Sequence, residues 1–321
     1  MTGLLSPASV SGALRVGFDV GGTKIDAVVV SDAGEVVLRA RRPTGWGADA
    51  VVTAVSETAE TFAAELGIST SGFASIGIGI PGQAAADQRS ITHAVNLGID
   101  YLDLAAAIEP RLGTRVRTEN DVKAAALGAA ALHGGTGTIA YLNLGTGVAA
   151  GFVTDGVLWR GARGTAGEVG HVSIDPRGPE CRCGQTGCIE MFVGGGALAR
   201  RWGRPVDHAV RDIFDAADDG DAEAIGIRDG FVFGVASAIR LITLSVDPDF
   251  TVLGGGVTGL GDRMLTRVVA ELERGASTSA FLRSLELTAH LEVLPAGSPV
   301  AALGAALVGA QAHQQEVTVH G

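Results

Sequence analysis

One arrangement occurs twice in this chain, and it limits the possible folds more than any other feature. Residues 14–20, 25–30 and 35–40 are short apolar segments separated by Gly21-Gly22-Thr23 and Asp32-Ala33-Gly34; residues 138–144, 148–154 and 157–160 repeat the pattern around Gly145-Thr146-Gly147 and Gly156. Runs this short, punctuated by turn residues, read as strands joined by hairpins. Helix and strand then alternate. The first half reads as a helix over 48–67 with Gly67 as its cap, a strand over 73–80 stopped by Pro81-Gly82, a helix over 102–112, a strand over 115–118 and an alanine-rich helix over 122–132. The second reads as helices over 195–202, 205–217 and 222–245, a strand over 251–256, a helix over 260–274, a strand over 285–294 and a helix over 300–312. Two such halves are expected of a duplicated domain with two facing phosphate loops. At 321 residues the chain suits two lobes better than one core.

Several turns carry chemistry. Asp19-Val20-Gly21-Gly22-Thr23-Lys24 puts a carboxylate at a strand end, then two glycines whose bare backbone can approach a phosphate, then a hydroxyl and an ammonium. No Gly-Lys-Ser/Thr occurs, so this is not a Walker loop, and Gly-Gly hairpins are common in ordinary turns. The strand over 251–256 ends in Gly254, Gly255 and Gly256, a place where a purine can lie against backbone or where a strand simply turns into a helix. Asp121 lies between a strand and a helix, at a carboxyl edge where ligands bind; taken alone, a helix cap is the preferred account of it.

All three cysteines fall in Cys181-x-Cys183-x4-Cys188. Cys-x-Cys bridges are strained and three thiols cannot all pair, so the cluster reads as thiolates converging on one ion. His171 completes a Cys3His set suited to tetrahedral Zn²⁺, with Gly184 and Gly187 letting the backbone turn around it. Four protein ligands leave no open position, which makes the metal structural rather than catalytic. Closing that site gathers Glu168, His171 and Glu190, two carboxylates and an imidazole able to hold the hydroxyls of a polyol.

The formal charge of −11 argues against nonspecific binding to nucleic acid or an anionic membrane. No apolar run looks long enough to span a bilayer, and residues 1–12 lack the features of a signal peptide. Thiolate ligands favour a reducing compartment, so a cytoplasmic location is expected.

Together, Asp19-Val-Gly-Gly-Thr-Lys24, Gly79-Ile-Pro-Gly82, Glu119-Asn-Asp121, Leu144-Gly-Thr-Gly147, Glu168-Val-Gly-His171 and the cysteine motif through Glu190 resemble the ROK family of bacterial sugar kinases. The resemblance runs from about Leu14 to Ala312. It implies a two-lobed actin-like ATPase (ribonuclease H-like) α/β fold, with duplicated mixed-sheet domains and a zinc-binding insertion at 168–190 in the second lobe. The expected division is a tail at 1–13, a small lobe of 14–121 plus 303–321, and a large lobe of 122–302. The implied activity is ATP-dependent phosphorylation of a hexose, glucose first and N-acetylmannosamine or N-acetylglucosamine second. Position by position, Asp121 takes the general base; Gly82, Asn96, Asn120, Asp121, Glu168, His171 and Glu190 take sugar contacts; His171, Cys181, Cys183 and Cys188 take zinc. Asp19 is placed to reach Mg²⁺, Gly21, Gly22, Thr23 and Lys24 with Gly145, Thr146 and Gly147 form the two phosphate loops, and Gly254, Gly255 and Gly256 form the adenosine loop. Dimers are common in the family, so a homodimer or higher homo-oligomer is expected. After Asn-Asp the family often continues Ala-Asn-Ala-Ala-Ala-Leu-Gly-Glu; here Val122, Lys123 and Ala129 depart from it.

The main alternative of another class is a sugar-responsive transcriptional regulator, since the family includes repressors with a winged helix-turn-helix ahead of the Asp-Gly-Gly strand. Only about a dozen residues precede that strand here, and the chain is acidic. A noncatalytic sugar sensor would not need Asp121 with both phosphate loops, and a zinc hydrolase would need an open metal position. Polyphosphate stays open as a donor, although the resemblance implies that family members using it lack the cysteine cluster; ATP is the donor expected.

Overall fold

The computed structural model describes residues 12–295 and 297–311. Most of the tail expected at 1–13 therefore lies outside the described residues, as does the end of the helix expected to reach 312. Ala13 is tied down, its N–H donating to Asp32 Oδ2 at 2.8 Å.

Two compact units emerge: residues up to 132 together with those from 299 onward, and residues 133–298. The first contains β1 (Arg15–Val20), β2 (Lys24–Val30), β3 (Val36–Pro43), α1 (Ala48–Leu66), β4 (Ser75–Ile80), β5 (Gln83–Ala84), β6 (Ser90–Ala94), β7 (Ile99–Asp103), α2 (Leu104–Leu112), β8 (Val116–Asn120) and α3 (Asp121–Leu132). The second contains β9 (Thr138–Leu144), β10 (Val148–Thr154), β11 (Val157–Trp159), α4 (Ile189–Val193), α5 (Gly195–Trp202), α6 (Ala209–Asp218), α7 (Ala222–Val246), β12 (Phe250–Gly254), α8 (Asp262–Ser277), α9 (Ala280–Ser284) and β13 (Leu291–Val293). Helix α10 (Val300–Ala310) returns to the first unit.

The duplication is visible in the sheets. One has the order β3-β2-β1-β4-β8 and the other β11-β10-β9-β12-β13. In each, the first three strands in sequence pair antiparallel and the remaining two join in parallel. Parallel pairing brings the carboxyl ends of β1, β4 and β8 to one edge, which is what positions the site residues of this unit.

Helices α3 and α10 explain where the division falls. Both are built of small residues, and a Cβ on Gly128 would run into the carbonyl of Val300, one on Gly304 into that of Ala124. Gly17 and Gly77 similarly leave room for α10 on the sheet, against the carbonyls of Ala302 and Ala305. Such backbone-to-backbone packing places α3 and the start of α10 in the first unit, whereas the sequence reading put 122–132 and 300–302 in the second lobe. Gly128→Val should lower the melting temperature and destabilise by about 3 kcal/mol or more, because backbone rather than a movable side chain meets the new atoms. An unchanged thermal melt would contradict this packing.

The second unit's core gathers Phe214 and Phe231 in an edge contact with ring centroids 5.7 Å apart, with Ile213, Val235, Ile239 and Ile242 around them. By length and composition α7 could cross a membrane, contrary to the expectation of no such run. Ile227, Phe231, Val235, Ile239 and Ile242 face this core while Phe233 and Leu244 are exposed, and Arg240 of the helix donates to the carbonyl of Glu271 at 3.1 Å. Two other readings change. The strand expected over 285–294 shrinks to β13, since Glu286 adopts a left-handed φ of 46° and only three residues pair with β12. Asn96, for which a polar loop between the strand over 73–80 and the helix over 102–112 is the reading from sequence, lies in a single helical turn, Val95–Leu97, joining β6 to β7 of a three-stranded sheet β5-β6-β7.

Candidate active site

In the first unit, Asp19 lies opposite Gly79 in the β1–β4 register, and Ile80 opposite Asn120 in β4–β8. Gly79 matters because a Cβ there would stand 3.0 Å from Ala124 Cβ and 3.5 Å from Asp121 Cα, so its absence lets the first turn of α3 close onto the sheet. The capping role weighed for Asp121 belongs to its neighbour. Asn120 Oδ1 accepts from the N–H groups of Val122 and Lys123 at 3.1 and 3.2 Å, and its Nδ2 donates to the Gly82 carbonyl at 3.1 Å. Asp121 stands in the first helical turn with Oδ1 accepting from Val122 N–H at 2.9 Å. Asn120 is thus largely committed to structure, with one N–H left over for a ligand.

Asp19 is the electrostatic centre of this edge. Burial, then the nearby carboxylates of Asp121 and Asp26, push its pKa up to about 7 from the ordinary 3.8, against the smaller pull of Lys24 and Arg41. Because the folded pKa is raised, Asp19's contribution to stability is full below the unfolded value and is lost as pH rises towards 7. In metal-free buffer Asp19→Asn should therefore match the parent's melting temperature near pH 4 and exceed it at pH 8, by on the order of a few kcal/mol in stability. Equal melting at pH 8 would remove the strained carboxylate.

The hairpin at Gly21–Thr23 is fastened at its carbonyls: Lys24's accepts from Gly21 N–H at 2.9 Å, Gly21's from Thr44 Oγ1 at 2.7 Å, and Thr23's from Thr44 N–H at 3.2 Å. Thr44 was not anticipated; it holds the loop from β3's far end. Gly22 sits beside Asn96, whose carbonyl would be 3.5 Å from a Cβ there. Gly82 takes φ 112° with the Thr92 carbonyl where its Cβ would be. Lys24 is exposed, while Lys123 is buried.

In the second unit the corresponding hairpin, Gly145–Thr146–Gly147, offers its first two carbonyls to the N–H groups of Gly195 and Gly196 at 2.9 and 3.0 Å. Glu190 Oε2 accepts from Val148 N–H at 3.1 Å and occupies the space a Cβ on Gly147 would need. The Glu190 carboxylate thus joins the cysteine motif to this loop, leaving its other oxygen for a ligand. At the end of β12, Gly254 leaves room for the Tyr141 ring, Gly255 at φ 93° lies against the Leu144 carbonyl, and Gly256 borders open space.

His171, Cys181, Cys183 and Cys188 bring their donor atoms within 4.8 Å of one another. Cys183 Sγ is 3.6 Å from Cys188 Sγ, and Cys181 Sγ is 3.8 Å from His171 Nδ1. A tetrahedron with ligands about 2.3 Å from its centre has edges of about 3.8 Å, so the cluster is compatible with zinc. Gly184 and Gly187 adopt φ of 89° and 73° in the turns around it. Gly167 and Gly170 press this segment onto β10, each where a Cβ would meet a β10 carbonyl, and Ala150 N–H donates to Gly167 O at 2.7 Å. The one-turn helix Val169–His171 then carries Glu168, exposed, next to His171. Gln185, which spacing does not single out, donates to the His171 carbonyl at 3.0 Å and to Cys183 Sγ at 3.4 Å, helping draw the Cys183 thiol down to about 6.

A model of the ROK family matches residues 15–311. The chain belongs to the ROK family. The match takes in every candidate residue of both units, from Asp19 to Gly256. A glucokinase of Halalkalibacterium halodurans is 33% identical over 279 residues, covering 80% of this ROK chain and 84% of that protein. An N-acetylmannosamine kinase of Yersinia pseudotuberculosis is 31% identical over 258 residues, covering 78% and 86%. Among solved structures, a ROK hexokinase from Thermus thermophilus aligns with a TM-score of 0.76 at 31% identity, covering 92% of this chain and 98% of that one. A ROK glucokinase from Streptomyces griseus, solved with glucose and AMPPNP, aligns at 0.73 with 28% identity, covering 94% and 100%. The α/β architecture with two mixed sheets is that of the ROK kinases, an actin-like ATPase fold.

Proposed function

We propose that this ROK protein is an ATP-dependent hexose kinase that converts glucose to glucose 6-phosphate. The observation that carries the reading is the state of Asp121: at the carboxyl edge of the sheet, relieved of capping by Asn120, and beside the crowded Asp19. A carboxylate so placed can accept the proton of a sugar hydroxyl as that oxygen attacks the γ-phosphorus in line. Asp19, whose proton affinity is raised by burial and by the neighbouring Asp121 and Asp26 carboxylates, is the residue to hold Mg²⁺, which when bound would neutralise phosphoryl charge. The glycine loops at 21–22 and 145–147 are assigned to phosphates, and the loop at 254–256, where Gly256 borders open space, to adenosine.

Zinc, held by His171, Cys181, Cys183 and Cys188, fits the donor set and its spacing. Its role is to fix the loop, so that Glu168, His171 and Glu190 meet sugar hydroxyls in one geometry. With Nδ1 turned to the sulfurs, His171 keeps Nε2 for a hydroxyl. Asn96 beside Gly22, together with the remaining N–H of Asn120, supplies further sugar contacts.

A second reading, phosphorylation of N-acetylmannosamine, is favoured by the similarly identical kinase of that sugar. The two separate in a kcat/KM comparison across glucose, mannose, fructose, N-acetylglucosamine and N-acetylmannosamine with MgATP. Glucose should lead. A lead of tenfold or more for N-acetylmannosamine, about 1.4 kcal/mol in transition-state binding, would reverse the assignment.

A further inference from the structure

Gln88 belongs to none of the expected sites, yet it is built into the strand end that carries Asp121. It holds a left-handed φ of 58°, unusual for a residue with a side chain, and is 7% exposed. Its polar groups are all engaged. The backbone N–H donates to the Ala85 carbonyl at 2.9 Å and the carbonyl accepts from Thr118 N–H at 2.8 Å. Side-chain Oε1 accepts from Arg117 Nη1 at 3.0 Å, and Nε2 donates to Glu119 Oε2 at 3.5 Å. Arg117 and Glu119 are themselves buried and, flanking Thr118, share one face of β8. The other Glu119 oxygen accepts from Asn120 N–H at 2.9 Å, and Asn120 caps α3 and holds Gly82. A continuous set of hydrogen bonds therefore runs from the 85–88 turn to the turn of helix where Asp121 stands.

We propose that Gln88 is a positioning residue for Asp121, fixing Glu119 and through it the Asn120–Asp121 strand end. The inference rests on the reading of Asp121 as general base. An uncharged amide can accept from a buried guanidinium and donate to a buried carboxylate at once at neutral pH, whereas an ionised glutamate would repel Glu119, and a lysine or arginine would repel Arg117. The rate of an in-line transfer depends steeply on where the base stands, so a small shift of this strand end lowers turnover more than it lowers binding.

The test compares Gln88→Met, which keeps volume without hydrogen bonds, and Gln88→Asn, which suits the left-handed backbone but is too short for both partners. Gln88→Glu and Asp121→Asn are assayed alongside. The charged groups around position 88 are Arg117 and Glu119 on β8 and Asp87 and Arg89 in its own turn, with Glu109 of α2 paired to Arg89 at 3.2 Å. The Met and Asn variants should lose about 10–100-fold in kcat while KM for sugar and for ATP stays within about threefold. Relative to the parent, Gln88→Glu should recover as pH falls, because its protonated carboxyl again donates to Glu119 and accepts from Arg117. Raised KM with unchanged kcat, a kcat loss no larger than the loss of folded protein, or a pH-independent Gln88→Glu ratio would overturn the assignment. If the Met variant fails to fold, the Asn and Glu variants decide it. Full turnover in Asp121→Asn would remove the base itself, whereas an inactive Asp121→Asn beside fully active Gln88 variants removes only the role given to Gln88.

Discussion

Asp121→Asn should bind glucose with nearly unchanged affinity and turn over about 10²–10⁴-fold more slowly. The substitution is a clean one here. An asparagine oxygen can still accept from Val122 N–H, so the first turn of α3 keeps its hydrogen bond, and Asn120 continues to cap the helix. What is lost is the ability to take a proton. One charge also disappears beside Asp19, whose pKa should fall because the Asp121 carboxylate is among the causes that raise it. Calorimetric glucose binding and steady-state ADP release on the same preparation separate the two effects. Retained turnover would mean that another group accepts the proton.

Cys183→Ser should lose zinc and glucose affinity together, with bound zinc falling well below one per chain and KM for glucose rising about tenfold or more. A serine hydroxyl is not ionised at neutral pH and is a poor replacement for a thiolate. Because Cys183 is exposed, its substitution does not disturb the core, whereas Cys181 and Cys188 are buried. The second unit's sheet and helices pack around Phe214, Phe231 and their neighbours, so the variant should remain folded. Without the metal, this segment keeps the glycine contacts on β10, the Glu190–Val148 hydrogen bond and the Gln185–His171 hydrogen bond, but loses the ion that draws His171 and the three cysteines to one point. Metal analysis beside a glucose titration checks this. A zinc-free variant with unchanged affinity would show that the loop holds its shape unaided.

Much of this fold was legible because glycine punctuates it. Strands β9 and β10 and helix α5 fall at the expected residues, each bounded by glycine turns, and Gly67 caps α1 in the left-handed region. The cysteine cluster was legible from spacing because metal ligands must converge. Other features depend on contacts distant in sequence. Nothing local says that Gly128 and Gly304 face each other's helices, which is why the expected lobe boundary left α3 on the wrong side of the division. Strand β5 has only two residues, too few for periodicity to reveal, and β6 carries a polar Thr92-His93 with His93 at a left-handed φ of 57°, which masks it as a strand. The run over 285–294 is apolar enough for a strand, yet the turn at Glu286 consumes most of it. The cap weighed for Asp121 falls on Asn120 instead, since either side chain suits a helix start and the N–H groups of Val122 and Lys123 both donate to Asn120 Oδ1. Gln88 and Gln185 carried no signal, because a lone glutamine acquires meaning from the charged and ligating groups it touches.

The deciding measurement is ADP release by zinc-replete protein given MgATP and glucose, with the sugar product identified by phosphorus NMR. Saturable turnover yielding glucose 6-phosphate in step with ADP is the result predicted for a kinase with Asp121 as its base. Glucose binding without any phosphorylated product, from glucose or from the other hexoses, would contradict it and leave a sugar-binding protein in its place.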